Sequence, residues 1–129
     1  MPRFAVLEHD HPELHWDFLL EQGEALQTWR LPTPPDEVHT LTTVKLPDHR
    51  KMYLDYEGPV SRGRGTVKQW DSGTFDVVWW KPTSVRVRLY GRRLQGICTL
   101  ERLTSSENAS TEKASTEVER WQWTLSPEE

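Results

Sequence analysis

Apolar and polar residues alternate with a period of two along much of this chain. In Val85-Arg86-Val87-Arg88-Leu89 the apolar side chains fall on one face and the arginines on the other, the pattern of a half-buried antiparallel strand. Similar short runs occupy residues 4–9, 15–21, 25–31, 40–46, 66–70, 74–80, 84–90, 96–103 and 121–125. Asp71-Ser72-Gly73 predicts a tight hairpin between Trp70 and Thr74, and the stretch from Gly91 to Gly96 predicts another turn. Pro32-Thr33-Pro34-Pro35 interrupts the pattern and allows at most one helical turn. These runs, with little helix between them, predict a mainly β fold: a small closed or nearly closed antiparallel β-barrel. Any metal-binding side chains are expected at a polar barrel centre, where buried polar groups need partners.

Residues 104–119 depart from this pattern. Ala109-Ser110-Thr111-Glu112 recurs as Ala114-Ser115-Thr116-Glu117 in a segment with no large apolar residue before Val118. It reads as a mobile Ser/Thr/Glu-rich loop joining the last two strands. The 129 residues are expected to form a single domain, 1–129.

Composition sharpens this picture at three points. Seven tryptophans supply burial area that the hydrophobic fraction of 35% would not suggest. The lone cysteine, in Ile97-Cys98-Thr99-Leu100, cannot form an internal disulfide and reads as a buried, inert thiol. No apolar run reaches membrane-spanning length and the first residues lack a secretory apolar core, so a cytoplasmic protein without membrane contact is expected. The net charge of −4 conceals an uneven distribution: residues 41–103 hold 12 Lys/Arg against 6 Asp/Glu, the remainder 4 against 14. Either the middle of the chain presents a basic face to a phosphate ligand, or these charges are spread over a solvated sheet exterior.

The segment His9-Asp10-His11-Pro12-Glu13-Leu14-His15-Trp16-Asp17 concentrates the candidate chemistry. One predicted strand ends at His9 and the next begins at His15. Alternation puts His15 and Asp17 on one face and Trp16 and Phe18 on the other. A tight connection around Pro12 returns His9 beside His15. Two imidazoles and a carboxylate form a mixed nitrogen–oxygen donor set that suits Mn²⁺, Zn²⁺ or Fe²⁺ over Ca²⁺ or Mg²⁺. Three protein ligands leave positions open for water or substrate. A different triad stays open at this point: His15-x-Asp17 with the distant His49 also fits an Fe(II) oxygenase, and the position of His9 discriminates between the two.

The ordered motifs resemble those of the 3′-phosphoesterase domain of bacterial DNA ligase D, as in a short standalone relative. The family opens with a strand ending in histidine, a five-residue gap and His-aromatic-Asp. Here this reads Phe4-Ala5-Val6-Leu7-Glu8-His9, then His15-Trp16-Asp17. Trp29-Arg30-Leu31-Pro32 is similar to its Trp-x-x-Pro strand, and Asp48-His49 with Tyr53-Leu54-Asp55-Tyr56-Glu57-Gly58 to its second catalytic stretch. Gly65-Thr66-Val67, Trp70-Asp71, Gly73-Thr74 and Leu89 to Gly96 are similar to later blocks.

The resemblance implies a barrel binding Mn²⁺ or a related divalent ion through His9, His15 and Asp17. It implies metal-dependent removal of a 3′-phosphate or a terminal ribonucleotide from nucleic-acid 3′ ends in DNA repair, with His49 and Tyr53 at the phosphate. A DNA ligase or polymerase acting in trans is the expected partner. Two family arginines are replaced, by Leu19 and Leu41. Arg50, Arg62 and Arg64 are the candidate phosphate-binding substitutes. The alternative is a catalytically weakened, metal-containing module that binds nucleic-acid ends or a repair partner.

Overall fold

The computed structural model describes residues 1–37, 39–103 and 119–127. Among these residues nine strands run in chain order: β1 (Arg3–His9), β2 (His15–Gln22), β3 (Ala25–Leu31), β4 (Thr40–Arg50), β5 (Gly58–Pro59), β6 (Thr66–Lys81), β7 (Ser84–Gly91), β8 (Gln95–Arg102) and β9 (Arg120–Ser126). A 3-10 turn, Lys51–Leu54, follows β4. The sheet order is β1-β2-β3-β4-β9-β8-β7-β6, and β1 pairs back onto β6. An eight-stranded antiparallel barrel closes in this way, and closure removes the exposed strand edges of an open sheet. The two-residue β5 adds to β6 outside the barrel circuit. Among the described residues no helix is long and apolar enough to cross a membrane.

The alternating residues explain the filling. Val85, Val87 and Leu89 turn inward from β7 and meet Cys98 and Leu100 of β8, Trp121 and Trp123 of β9, and Trp16, Phe18 and Leu20 of β2. Phe18 meets Trp123 edge-on at 5.8 Å, and Trp29 meets Trp121 at 5.6 Å. The barrel centre is therefore apolar and aromatic, which corrects the expected polar centre. Because Trp16, Phe18 and Leu20 point inward, the period of two sends His15, Asp17 and Leu19 outward. That outer face of β1, β2 and β3 is covered rather than solvated. Leu54 of the 3-10 turn joins Ala5, Leu7, Leu19, Leu26 and Val67 in a second apolar cluster, with Tyr53, Tyr56 and Val60 packed against it. The polar site sits at the border of this second layer.

The expected hairpin at Asp71-Ser72-Gly73 is absent, because β6 runs unbroken from Thr66 to Lys81. Its first half pairs with β1 and its second with β7, so one continuous strand forms the closing seam. Asp71 is buried, and its carboxylate accepts from the backbone N–H groups of Ser72, Arg92, Arg93 and Leu94 at 2.8–3.2 Å. It organises the distant β7–β8 turn instead of making one of its own. Gly73 is required for close approach, since a Cβ there would strike the Tyr90 carbonyl. Gly73→Ala is expected to destabilise the fold by about 1–3 kcal/mol, the usual range for overpacking, read as a lower urea midpoint with unchanged slope.

The loop expected at 104–119 lies, apart from Glu119, outside the described residues. Cys98 is fully buried, and burial pushes its thiol well above the ordinary range. A water-soluble disulfide reagent should leave the native thiol untouched and react stoichiometrically only in denaturant.

Candidate metal centre

β1 ends at His9 and β2 begins at His15, and the antiparallel register sets these two residues opposite each other. Their rings lie 4.8 Å apart at 62°. Asp17, two residues further along the same face of β2, faces Leu7 on β1 and Arg30 on β3. His9 Nδ1 is 3.6 Å from Asp17 Oδ2, and His15 Nε2 is 3.2 Å from Asp17 Oδ1. One ligand atom from each residue falls within 4.8 Å of the other two, an arrangement able to hold a metal ion.

The far side of each imidazole is already engaged. His15 Nδ1 donates to the Glu13 carbonyl at 2.9 Å, and His9 Nε2 donates to the Arg64 carbonyl at 2.8 Å. Such bonds select the tautomer that leaves the other ring nitrogen as a lone-pair donor. His15 Nε2 and Asp17 Oδ1 are buried without a hydrogen-bond partner despite their proximity. A cation shared between these atoms, a proton without metal or a divalent ion in its place, would satisfy both, so the residues fit a divalent metal. Burial alone would raise the Asp17 carboxyl, but the His15 and His9 rings outweigh it and bring it down to about 2. The carboxylate is thus ionised at neutral pH. His9 is raised, chiefly by Asp17 beside it.

The loop after β5 closes over His9. Gly65 has φ of +80°, and a Cβ there would overlap the Asp10 carboxylate. Asp10 Oδ1 accepts from the Thr66 backbone N–H at 2.7 Å, tying this loop to the end of β1. Both features position the Arg64 carbonyl that holds His9.

The cluster opens on a cleft of about 440 Å³ lined by His9, Asp17, Arg30, His49, Arg50, Tyr53 and Arg64, among others. His49, near the end of β4, donates Nδ1–H to the Pro47 carbonyl at 3.1 Å and meets the Tyr53 ring at 5.8 Å. His49 stands outside the three-residue cluster that His9 completes. The grouping among the described residues thus places His9, and not the His49 that an oxygenase arrangement needs, beside His15 and Asp17. Arg50 is exposed at the rim, and the Arg64 guanidinium is bonded to Ser61 through Nε and Nη2. Arg62 is exposed on its turn with φ of 65° and does not line the cleft. Leu19 is fully buried in the second apolar layer and Leu41 is buried in the barrel interior, so neither position brings a cation to the cleft. Arg30 was not among the candidates from sequence, although pairing across the β2–β3 hairpin places it directly opposite Asp17.

The sequence model of a family described as "DNA Ligase D 3'-phosphoesterase domain" matches residues 7–102. A multifunctional non-homologous end joining protein LigD of Pseudomonas aeruginosa is 36% identical over 78 residues, 57% of this chain and 9% of that protein. The LigD proteins of Mycobacterium bovis and Mycobacterium tuberculosis are 32% identical over 102 residues, 72% of this chain and 13% of theirs. The chain thus spans only about a tenth of the length of these curated relatives.

Proposed function

Because this chain belongs to the DNA ligase D 3′-phosphoesterase domain family, we propose that it is a metal-dependent phosphoesterase that trims nucleic-acid 3′ ends, removing a 3′-phosphate or a terminal ribonucleotide. The observation that carries this reading is the pair of orphaned buried atoms, His15 Nε2 and Asp17 Oδ1, with His9 completing the donor set beside a cationic cleft. His9 Nδ1, His15 Nε2 and Asp17 would hold the ion; the nitrogen–oxygen set suits Mn²⁺, Zn²⁺ or Fe²⁺, and the family resemblance points to Mn²⁺ among these. A bound divalent ion supplies Lewis-acid polarisation of a phosphoryl oxygen and a more acidic water.

The remaining roles fall to side chains around the cleft. His49, anchored through Nδ1–H to Pro47, would in its imidazolium form also carry Nε2–H and pass that proton to the departing oxygen or to the phosphate. Tyr53, packed against His49, orients the phosphate through its hydroxyl. Arg50 and Arg64 add positive potential at the rim. Hydrolysis of a 3′-phosphate monoester leaves a 3′-hydroxyl, the group a DNA ligase or polymerase needs. Either enzyme is the proposed consumer of the product, in keeping with the end-joining names of the relatives.

One observation favours a second reading. The fully buried Leu19 leaves β2 without a cation beyond Asp17, as in a module that binds ends without turnover. The two are separated on an end-labelled primer–template carrying a 3′-phosphate or one 3′-ribonucleotide. The wild type and His15→Ala are assayed with EDTA, Mg²⁺, Mn²⁺ and Zn²⁺. The enzyme reading expects metal-dependent product that EDTA and His15→Ala abolish. Absence of product from folded, metal-loaded protein with both substrates would favour the binding module or a different phosphoester substrate.

A further inference from the structure

We infer that Arg30 is the phosphate-anchoring residue of the cleft, gripping the terminal phosphate of the 3′ end from the strand next to the metal ligands. The inference rests on the proposed function and adds to it a residue that composition and motif order do not single out.

Three observations converge on this side chain. By register Arg30 lies on β3 directly opposite Asp17, on the same outward face of the sheet. It lines both the cleft that holds the proposed metal ligands and an adjoining depression of about 250 Å³ bounded by Pro12, His15 and Thr42, so it stands where the two meet. Its Nε is buried and without a hydrogen-bond partner, although a guanidinium N–H removed from water ordinarily has one. Among the described residues lining the cleft, the other arginines differ: Arg50 is exposed, and Arg64 is exposed and bonded to Ser61. Arg30 alone in that set is half-buried and carries an unused buried donor.

The neighbouring strand makes the placement useful. On β2 the outward residue beyond Asp17 is Leu19, fully buried, and its partner Thr28 spends its hydroxyl on the Leu26 carbonyl. Arg30 is the diagonal neighbour of Leu19. Diagonal positions across an antiparallel pair are about 7–8 Å apart, within the reach of a long side chain. A planar guanidinium binds two oxygens of one phosphate, which matches a terminal monoester with its unbridged oxygens.

The test uses inorganic phosphate as probe, followed by calorimetry at low ionic strength on the full chain, with circular dichroism as the check of fold. Arg30→Gln is expected to weaken phosphate binding about tenfold or more, the loss of charge-assisted hydrogen bonds. Arg30→Lys, which keeps charge but not the fork, should fall between the two. Arg92→Gln, on the exposed β7–β8 turn, removes the same charge and should bind as wild type does. Wild-type affinity in folded Arg30→Gln would overturn the inference, as would wild-type affinity in Arg30→Lys if the glutamine variant does not fold. An absence of phosphate binding by the wild type would overturn it too. Mn²⁺ titration of the same proteins separates this from the metal reading. Arg30 variants should bind Mn²⁺ as wild type does, and a wild type that fails to bind Mn²⁺ would sink the metal reading while leaving the phosphate result standing.

Discussion

Asp17→Asn is expected to lower Mn²⁺ affinity by about 100-fold or more, since even changes in groups that only orient a ligand cost 10–100-fold. The substitution keeps shape and removes the only formal negative charge in the three-residue cluster. Asp17 is 2% exposed and held ionised by the two histidine rings, so its charge is available to a cation without prior loss of a proton. An amide at that position offers one weak oxygen donor and an N–H₂ group that repels a cation. Turnover on a 3′-phosphate end should fall in parallel. His49→Ala should behave differently, keeping Mn²⁺ affinity and losing turnover, because His49 stands outside the ligand cluster. Mn²⁺ titration followed by the free-ion EPR signal, beside the gel assay, reads both. Wild-type Mn²⁺ affinity in folded Asp17→Asn would remove the basis for a metal centre here.

Trp123→Ala is expected to cost about 3–5 kcal/mol of stability, the range for deleting a large buried aromatic. Against a total of about 5–15 kcal/mol for an ordinary domain, that is a large share. Trp123 is fully buried, pairs with Leu41 on β4 and Leu100 on β8, and meets Phe18 edge-on. Phe18 lies between Asp17 and Leu19 on β2, so a cavity behind it loosens the strand that carries two of the three proposed ligands. Weaker Mn²⁺ binding is therefore expected along with the lower urea midpoint. Trp123→Phe, which keeps part of the volume, should show a smaller change in both. A midpoint within error of wild type for Trp123→Ala would mean that this ring is not central to the barrel core.

The candidate site was largely legible because it depends on local geometry. His15, Trp16, Asp17 and Phe18 alternate, and the period of a strand alone separates the ligands from the core aromatics. Even Arg30 was within reach of counting. Gln22 pairs with Ala25 across a two-residue turn, and stepping back five residues on each strand sets Asp17 against Arg30. The family match over residues 7–102 rests on the same short, ordered blocks.

What the sequence by itself determined about this protein is therefore its strand pattern, the grouping of His15 with Asp17 on one face of β2, and its family. Each of these follows from residues a few positions apart. Tertiary structure decided which face of β2 became the barrel interior, because Trp16 and Phe18 needed the aromatic partners that β9 brings from the far end of the chain. It also decided that Asp71-Ser72-Gly73, a turn by composition, would continue a strand. The Asp71 carboxylate found its donors about twenty residues away, at Arg92 to Leu94, and Gly73 made room for the Tyr90 carbonyl on the paired strand. Long-range pairing of this kind outweighs local turn propensity because it satisfies buried polar groups that the turn would have left exposed to competition from water.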